Sequence, residues 1–157
     1  TIDILRATFE AMKVEYHVPL DWRPLAAGDS LPLAEGWTMR TAPTVHSRPC
    51  MALRFEAPDG GPALLYSADT EPCAPVRALA ARADVIVHEA TTPGPFEGHT
   101  SPRQAGQVAA EAGARRLVLV HFSPRWTMPE DKALAEVRAG GFTGVAEIGR
   151  DGQVIEL

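Results

Sequence analysis

Histidine, aspartate and glutamate recur in this sequence at one kind of place: the end of a short apolar run. His121 closes Leu117-Val118-Leu119-Val120 and opens the polar stretch Phe122-Ser123-Pro124-Arg125-Trp126. Asp69 follows Ala63-Leu64-Leu65-Tyr66-Ser67-Ala68, and His88-Glu89 follow Val85-Ile86-Val87. Continuous apolar runs of this length read as buried strands. In open α/β sheets, ligands gather beyond the carboxyl ends of the strands. Three strands thus deliver a metal-capable or proton-carrying group to one edge. A single such histidine is more often a partly buried, hydrogen-bonded residue. The threefold coincidence makes a site the better reading.

His46 stands at another strand–loop junction, and on local sequence alone it reads as a surface histidine. Taken with Asp69 and His121, it completes a set of two imidazoles and one carboxylate. Mixed nitrogen and oxygen donors suit Zn²⁺, with Mn²⁺ or Fe as alternatives. A carboxylate placed between two metals can bridge them, yet three ligands are too few for two ions. His99 lies in Gly98-His99-Thr100-Ser101, just before a helix. Glu89 could orient it, and a carboxylate–imidazole pair can deliver a proton to a leaving group. The alternative is that both residues only tie loops together. Arg125 could clamp a phosphate bidentately, or be a solvated surface arginine.

The elements that must position these groups follow from pattern. Residues 2–12 have helical spacing, with Ile2, Leu5, Phe9 and Met12 on one face. Residues 14–20 read as a short strand, and 21–37 as loop with an extended piece at 31–33. A strand over 38–45 leads to His46. Residues 50–57 alternate, predicting a half-buried strand whose apolar face is Met51, Leu53 and Phe55. Pro58-Asp59-Gly60-Gly61-Pro62 is a dense turn signal that makes an antiparallel hairpin with 63–68. Residues 75–82 read as a helix.

Ser101-Pro102-Arg103-Gln104 opens a helix: Ser101 as N-cap, Pro102 at the first position, Gln104 closing a capping box. Gly113 ends that helix. A further helix covers 129–139, and 145–148 and 153–157 read as strands joined by an Asp151-Gly152 turn. Alternating strands and helices give an α/β fold.

Composition narrows the class. With 157 residues, 45% of them apolar and 22% charged, the chain can form one globular domain with a real core. No apolar run is long enough to cross a bilayer, and residues 1–6 carry no secretory pattern. The start on Thr1, inside a helical pattern, reads as truncated or processed. Cys50 and Cys73 lack metal-type spacing and read as buried free thiols of a reducing, cytoplasmic setting. The net charge of −5 argues against broad nonspecific nucleic-acid binding, although Arg115, Arg116 and Arg125 flank the His121 strand.

Taken in order, Asp69 in Ser67-Ala68-Asp69-Thr70, then His88-Glu89-Ala90-Thr91, Gly98-His99-Thr100-Ser101 and His121-Phe122-Ser123-Pro124-Arg125-Trp126 resemble the ribonuclease Z branch of the metallo-β-lactamase superfamily. His46 matches that family's mid-chain metal histidine. The resemblance covers roughly residues 46–126. It implies an αββα sandwich, of which this chain is mainly the C-terminal half, and a site for two zinc ions. It further implies that His46 and His121 each bind one metal, that Asp69 bridges, that Glu89 and His99 form an acid dyad, and that Arg125 contacts the scissile phosphate. In that family a metal-activated hydroxide cleaves a phosphodiester, typically in 3′-end processing of precursor tRNA. Members are often dimers.

This sequence departs from the pattern in three places. The His-x-His-x-Asp-His motif is absent and belongs upstream of residue 1. Residues 1–157 are therefore expected to be the C-terminal part of one domain, competent only with the missing N-terminal part. The interval 47–68 leaves no room for the long tRNA-gripping arm, and Trp126 occupies the usual tyrosine position. Two other functions stay open: a metallo-hydrolase of a small phosphodiester, ester or lactam, and a non-catalytic interaction module that kept the half-fold.

Overall fold

The computed structural model describes residues 2–12 and 23–157. The strand expected over 14–20 and Trp22 lie outside the described residues. Within them, α1 (Ile2–Ala11) precedes β1 (Ser30–Pro32), β2 (Thr38–Pro43), β3 (Met51–Glu56) and β4 (Ala63–Tyr66). Then α2 (Ala74–Ala80), β5 (Val85–Glu89), α3 (Pro102–Ala112), β6 (Arg116–Val120), α4 (Glu130–Ala139) and β7 (Val145–Ile148) alternate.

All seven strands form one sheet in sequence order. Strands β1 to β4 pair antiparallel, whereas β4 to β7 pair parallel through helical crossovers. This topology dictates where the candidate groups must lie. Parallel β4, β5 and β6 bring Asp69, Glu89 and His121 to one edge. Strand β2 is antiparallel to β3, which is antiparallel to β4, so β2 points the same way. His46 after β2 therefore reaches that edge too.

The main core cluster lies on one face of the sheet, although Met39, Val85 and Val118 are buried on the other. Leu65, Ile86, Leu117 and Leu119, each 0% exposed, pack with Val76 and Leu79 of α2, Val108 of α3 and Val137 of α4 in one cluster. Burying an aliphatic side chain of this size stabilises by about 1.5–3 kcal/mol. Helix α4 comes so close to α3 that a Cβ on Gly106 would lie 2.4 Å from the Val137 carbonyl oxygen. Only glycine admits that approach.

The opposite sheet face carries Met51, Leu53, Phe55, Leu64 and Val87, all half-buried, and Tyr66, which is exposed. The half-buried face of β3 expected at Met51, Leu53 and Phe55 forms, but the fully buried face is the other one. Its helix-side residues are Ala52 and Arg54, both buried, because Arg54 donates to the Leu79 and Ala81 carbonyls at the end of α2. Large apolar side chains instead face away from the helices. The helices and the sheet make two adjoining layers, with an apolar sheet face left over.

Two other expectations are corrected. Residues 153–157 are not a strand: Asp151-Gly152 turn, but the following segment pairs with nothing in the sheet. Helix α1 forms as expected, yet Leu5 (40%) and Met12 (67%) are exposed, so their shared face is not buried by the described residues.

Candidate metal centre and proton-transfer site

The turns that leave the strands set the side-chain directions. Ala68, just before Asp69, has φ of 51°, and His121 itself has φ of 59°. Left-handed backbone at a non-glycine residue costs about 1–2 kcal/mol. Both strained residues sit where β4 and β6 hand over to the site, and such strain concentrates at functional sites. Helix α3 holds the third approach. Ser101 Oγ accepts from the Gln104 N–H while the Gln104 side chain accepts from the Ser101 N–H, as the sequence predicts. Thr100, immediately before, donates its hydroxyl to the Thr70 carbonyl at 2.6 Å and so ties the His99 loop to the Asp69 loop.

Asp69 divides its carboxylate between two imidazoles. Oδ2 lies 4.0 Å from His46 Nε2, and Oδ1 lies 3.5 Å from His121 Nε2. Two ligand atoms on one tetrahedral Zn²⁺, each about 2.0–2.1 Å from it, stand about 3.3–3.4 Å apart. The His121 spacing matches that edge closely; the His46 spacing is somewhat wider. The Arg48 N–H donates to His46 Nδ1 at 3.3 Å, which places the proton of a neutral His46 on Nε2. Ligation through Nε2 requires that long hydrogen bond to give way.

Glu89 is 1% exposed and fully engaged. Its Oε1 accepts from the Thr70 N–H at 2.8 Å and from His99 Nδ1 at 3.1 Å. Oε2 accepts from the Thr91 N–H at 3.1 Å and the Thr91 hydroxyl at 2.6 Å. Burial alone would raise its pKa. The bonds from the Thr91 side chain and from the Thr70, Thr100 and Thr91 backbones outweigh that, and the net shift is downward. Glu89 is therefore an ionised anchor with its lone pairs spent. Glu89, His99 and His121 offer ligand atoms within 4.8 Å of one another, but these bonds make Glu89 the poor ligand of the three.

Through Nδ1, His99 is held by Glu89, which leaves its Nε2 turned outward. Its ring lies 5.0 Å from that of His46 and stacks at 5.9 Å on that of His121. Phe96, 62% exposed, also stacks on the His99 ring at 6.4 Å. A cavity of about 520 Å³ opens beside His46 and His99, walled by Val45, Glu71, Phe96 and Glu97. Nearby, the partial desolvation of the Tyr66 hydroxyl raises its pKa, with the Asp69 and Glu89 charges adding, so that it stays neutral.

His46, Asp69, Glu89, His99 and His121 thus gather at one edge, and among the described residues no hydrogen bond or ion pair links Arg125 to them. Its side chain is exposed, its N–H donates to Ser123 Oγ, and its guanidinium has no ion-pair partner among the described residues. His88 is a correction to the strand-end pattern. It points into the helix-side core, 0% exposed, because it alternates with Glu89 across the pleat. The residues missed from sequence are Thr70, Thr91 and Thr100, which supply donors to the centre. A signal existed: each follows a chemically active residue by one or two positions, in Asp69-Thr70, Glu89-Ala90-Thr91 and His99-Thr100.

A model of the β-lactamase superfamily domain matches residues 1–122. A ribonuclease Z of Myxococcus xanthus is 39% identical over 107 residues, covering 64% of this chain and 34% of that protein. The chain thus spans about a third of the length of the relative it matches. Among solved structures, the metallo-β-lactamase fold protein YhfI of Bacillus subtilis superposes with a TM-score of 0.76 at 24% identity, over 92% of this chain and 58% of that one. The short form of human tRNase Z gives 0.57 at 23%, over 76% and 43%.

Proposed function

This chain belongs to the β-lactamase superfamily, and on that premise we propose that it contributes one side of a metal-dependent phosphodiester hydrolase of the ribonuclease Z type. The observation that carries this reading is the divided carboxylate of Asp69, with one oxygen toward His46 and one toward His121, beside a hydrogen-bonded Glu89–His99 pair. Asp69, His46 and His121 would together hold the metal. The donor set fits zinc. Zinc bound here would supply a nucleophile at neutral pH and offset charge on a phosphate.

The chain's own residues do the rest. Glu89, ionised and immobile, fixes the His99 ring with Nε2 outward, where a proton can pass to the departing alkoxide. Arg125, exposed and unpaired among the described residues, is free to meet a non-bridging phosphate oxygen bidentately. The cavity walled by Phe96 and the Glu71 and Glu97 carboxylates suits an uncharged part of the substrate rather than the phosphate itself.

Three ligands do not serve two ions, so the rest of the site comes from the N-terminal part of the same domain. The apolar sheet face of Leu53, Phe55, Leu64 and Tyr66 supports that reading, because antiparallel and mixed sheets bury such a face against a further layer. The proposed substrate class is a phosphodiester, which includes RNA and the 3′ ends of precursor tRNA.

The test is hydrolysis by the protein carrying both parts, with zinc, of precursor tRNA, bis(p-nitrophenyl) phosphate and a lactam. Cleavage of the first two but not the third supports phosphodiester chemistry. Turnover of the lactam alone overturns it.

A further inference from the structure

Thr91 stands between the anchor and a ligand. Its hydroxyl lies 2.6 Å from Glu89 Oε2 and 2.8 Å from His121 Nδ1. The carboxylate is ionised and can only accept, so the single hydroxyl proton goes to Glu89. The Thr91 oxygen is then left as an acceptor, and His121 must present Nδ1 as a donor. A neutral His121 therefore carries its proton on Nδ1 and turns the bare lone pair of Nε2 toward Asp69 Oδ1.

Among the described residues, the other restraints on this ring are weak: the His121 side chain is 50% exposed, stacks on His99 and faces Asp69 Oδ1 at 3.5 Å. Thr91 is well placed to restrain it. The residue is 8% exposed, its N–H bonds to Glu89 Oε2, and its carbonyl accepts from the Ser123 N–H in the loop that carries His121.

We infer that Thr91 is a positioning residue: its hydroxyl sets the tautomer and orientation of His121 so that Nε2 faces the metal. One buried carboxylate thereby orients two imidazoles, His99 directly through Oε1 and His121 through Thr91 and Oε2. The inference rests on the reading of His121 as a metal ligand.

Two measurements test it: ¹⁵N NMR of the metal-free protein at a pH where its imidazoles are neutral, and competition titration with zinc alone. The expected wild-type result is a His121 that holds its proton on Nδ1. Thr91→Val should shift that proton toward Nε2 and weaken zinc binding by about 10–100-fold, the usual consequence of losing a partner that orients a ligand. Thr91→Ser, which keeps the hydroxyl, should restore both tautomer and affinity. A space-filling role alone would give the opposite ranking, with valine the better substitute. The inference is overturned if wild-type His121 carries its proton on Nε2, or if Thr91→Val binds zinc as tightly as wild type. A wild type with Nδ1–H on His121 that binds no zinc would support Thr91's hold on the ring and overturn only the metal reading.

Discussion

Asp69 Oδ1 faces His121 Nε2 at 3.5 Å, and with the His121 proton held on Nδ1, as inferred from Thr91, both atoms are acceptors. Two acceptors at that distance repel unless a cation or a proton lies between them. Asp69→Asn removes the negative charge while nearly keeping the shape. Zinc affinity should fall by more than about tenfold, because a metal held by fewer anionic ligands is bound less tightly. The metal-free protein should melt at an unchanged or higher temperature. Calorimetric zinc titration and thermal unfolding of the two proteins check both halves of this expectation.

The buried histidine of the core gives a pH dependence. Burial lowers the pKa of His88, whose Nε2 has no hydrogen-bond partner among the described residues and whose Nδ1 bonds to the Glu89 carbonyl at 2.9 Å. The folded state then binds fewer protons than the unfolded state below the ordinary imidazole pKa of about 6.5. The stability in question is fully present above that pH and declines as pH falls beneath it. In His88→Leu this decline should be absent between roughly pH 6.5 and 5. Chemical denaturation across that range measures it. Equal slopes in the two proteins would contradict the assignment.

Where α3 meets α4, a methyl group has no room. Gly106→Ala places a Cβ 2.4 Å from the Val137 carbonyl oxygen and 2.9 Å from its Cα, both backbone atoms. Overpacking of this kind costs about 1–3 kcal/mol. Helix propensity acts the other way, favouring alanine by about 1 kcal/mol, so the net loss should be about 0–2 kcal/mol. Urea unfolding of the variant reads the balance, and a clear gain in stability would show that the helices separate without penalty.

Much of this architecture was legible because the signals were local. The capping box at Ser101 and Gln104, the Gly113 stop and the Pro58-to-Pro62 turn each bind residues a few positions apart, and all formed as read. Asp69, Glu89 and His121 could be placed at one edge because parallel strands share a direction. The buried face of β3 was not legible. Leu53 and Phe55 carry the apolar signal, but Arg54 is the residue buried against α2, held by carbonyls 25 and 27 positions away. Nothing in alternation reveals which face meets helices. His88 misled for a related reason: adjacent residues in a strand point to opposite faces, so only Glu89 could serve the site. The threonine donors carried only a weak signal, their place just after Asp69, Glu89 and His99, because the value of the Thr70, Thr91 and Thr100 donors depends on a carboxylate buried within reach.

The most direct measurement is anomalous diffraction at the zinc edge from crystals of the protein grown with zinc. The expected result is a peak touching the Asp69 carboxylate on the side of His121 Nε2, with Glu89 still bonded to Thr70, Thr91 and His99. A saturated crystal whose zinc lies away from Asp69, or is held by Glu89, would contradict the assignment of Asp69 as a metal ligand.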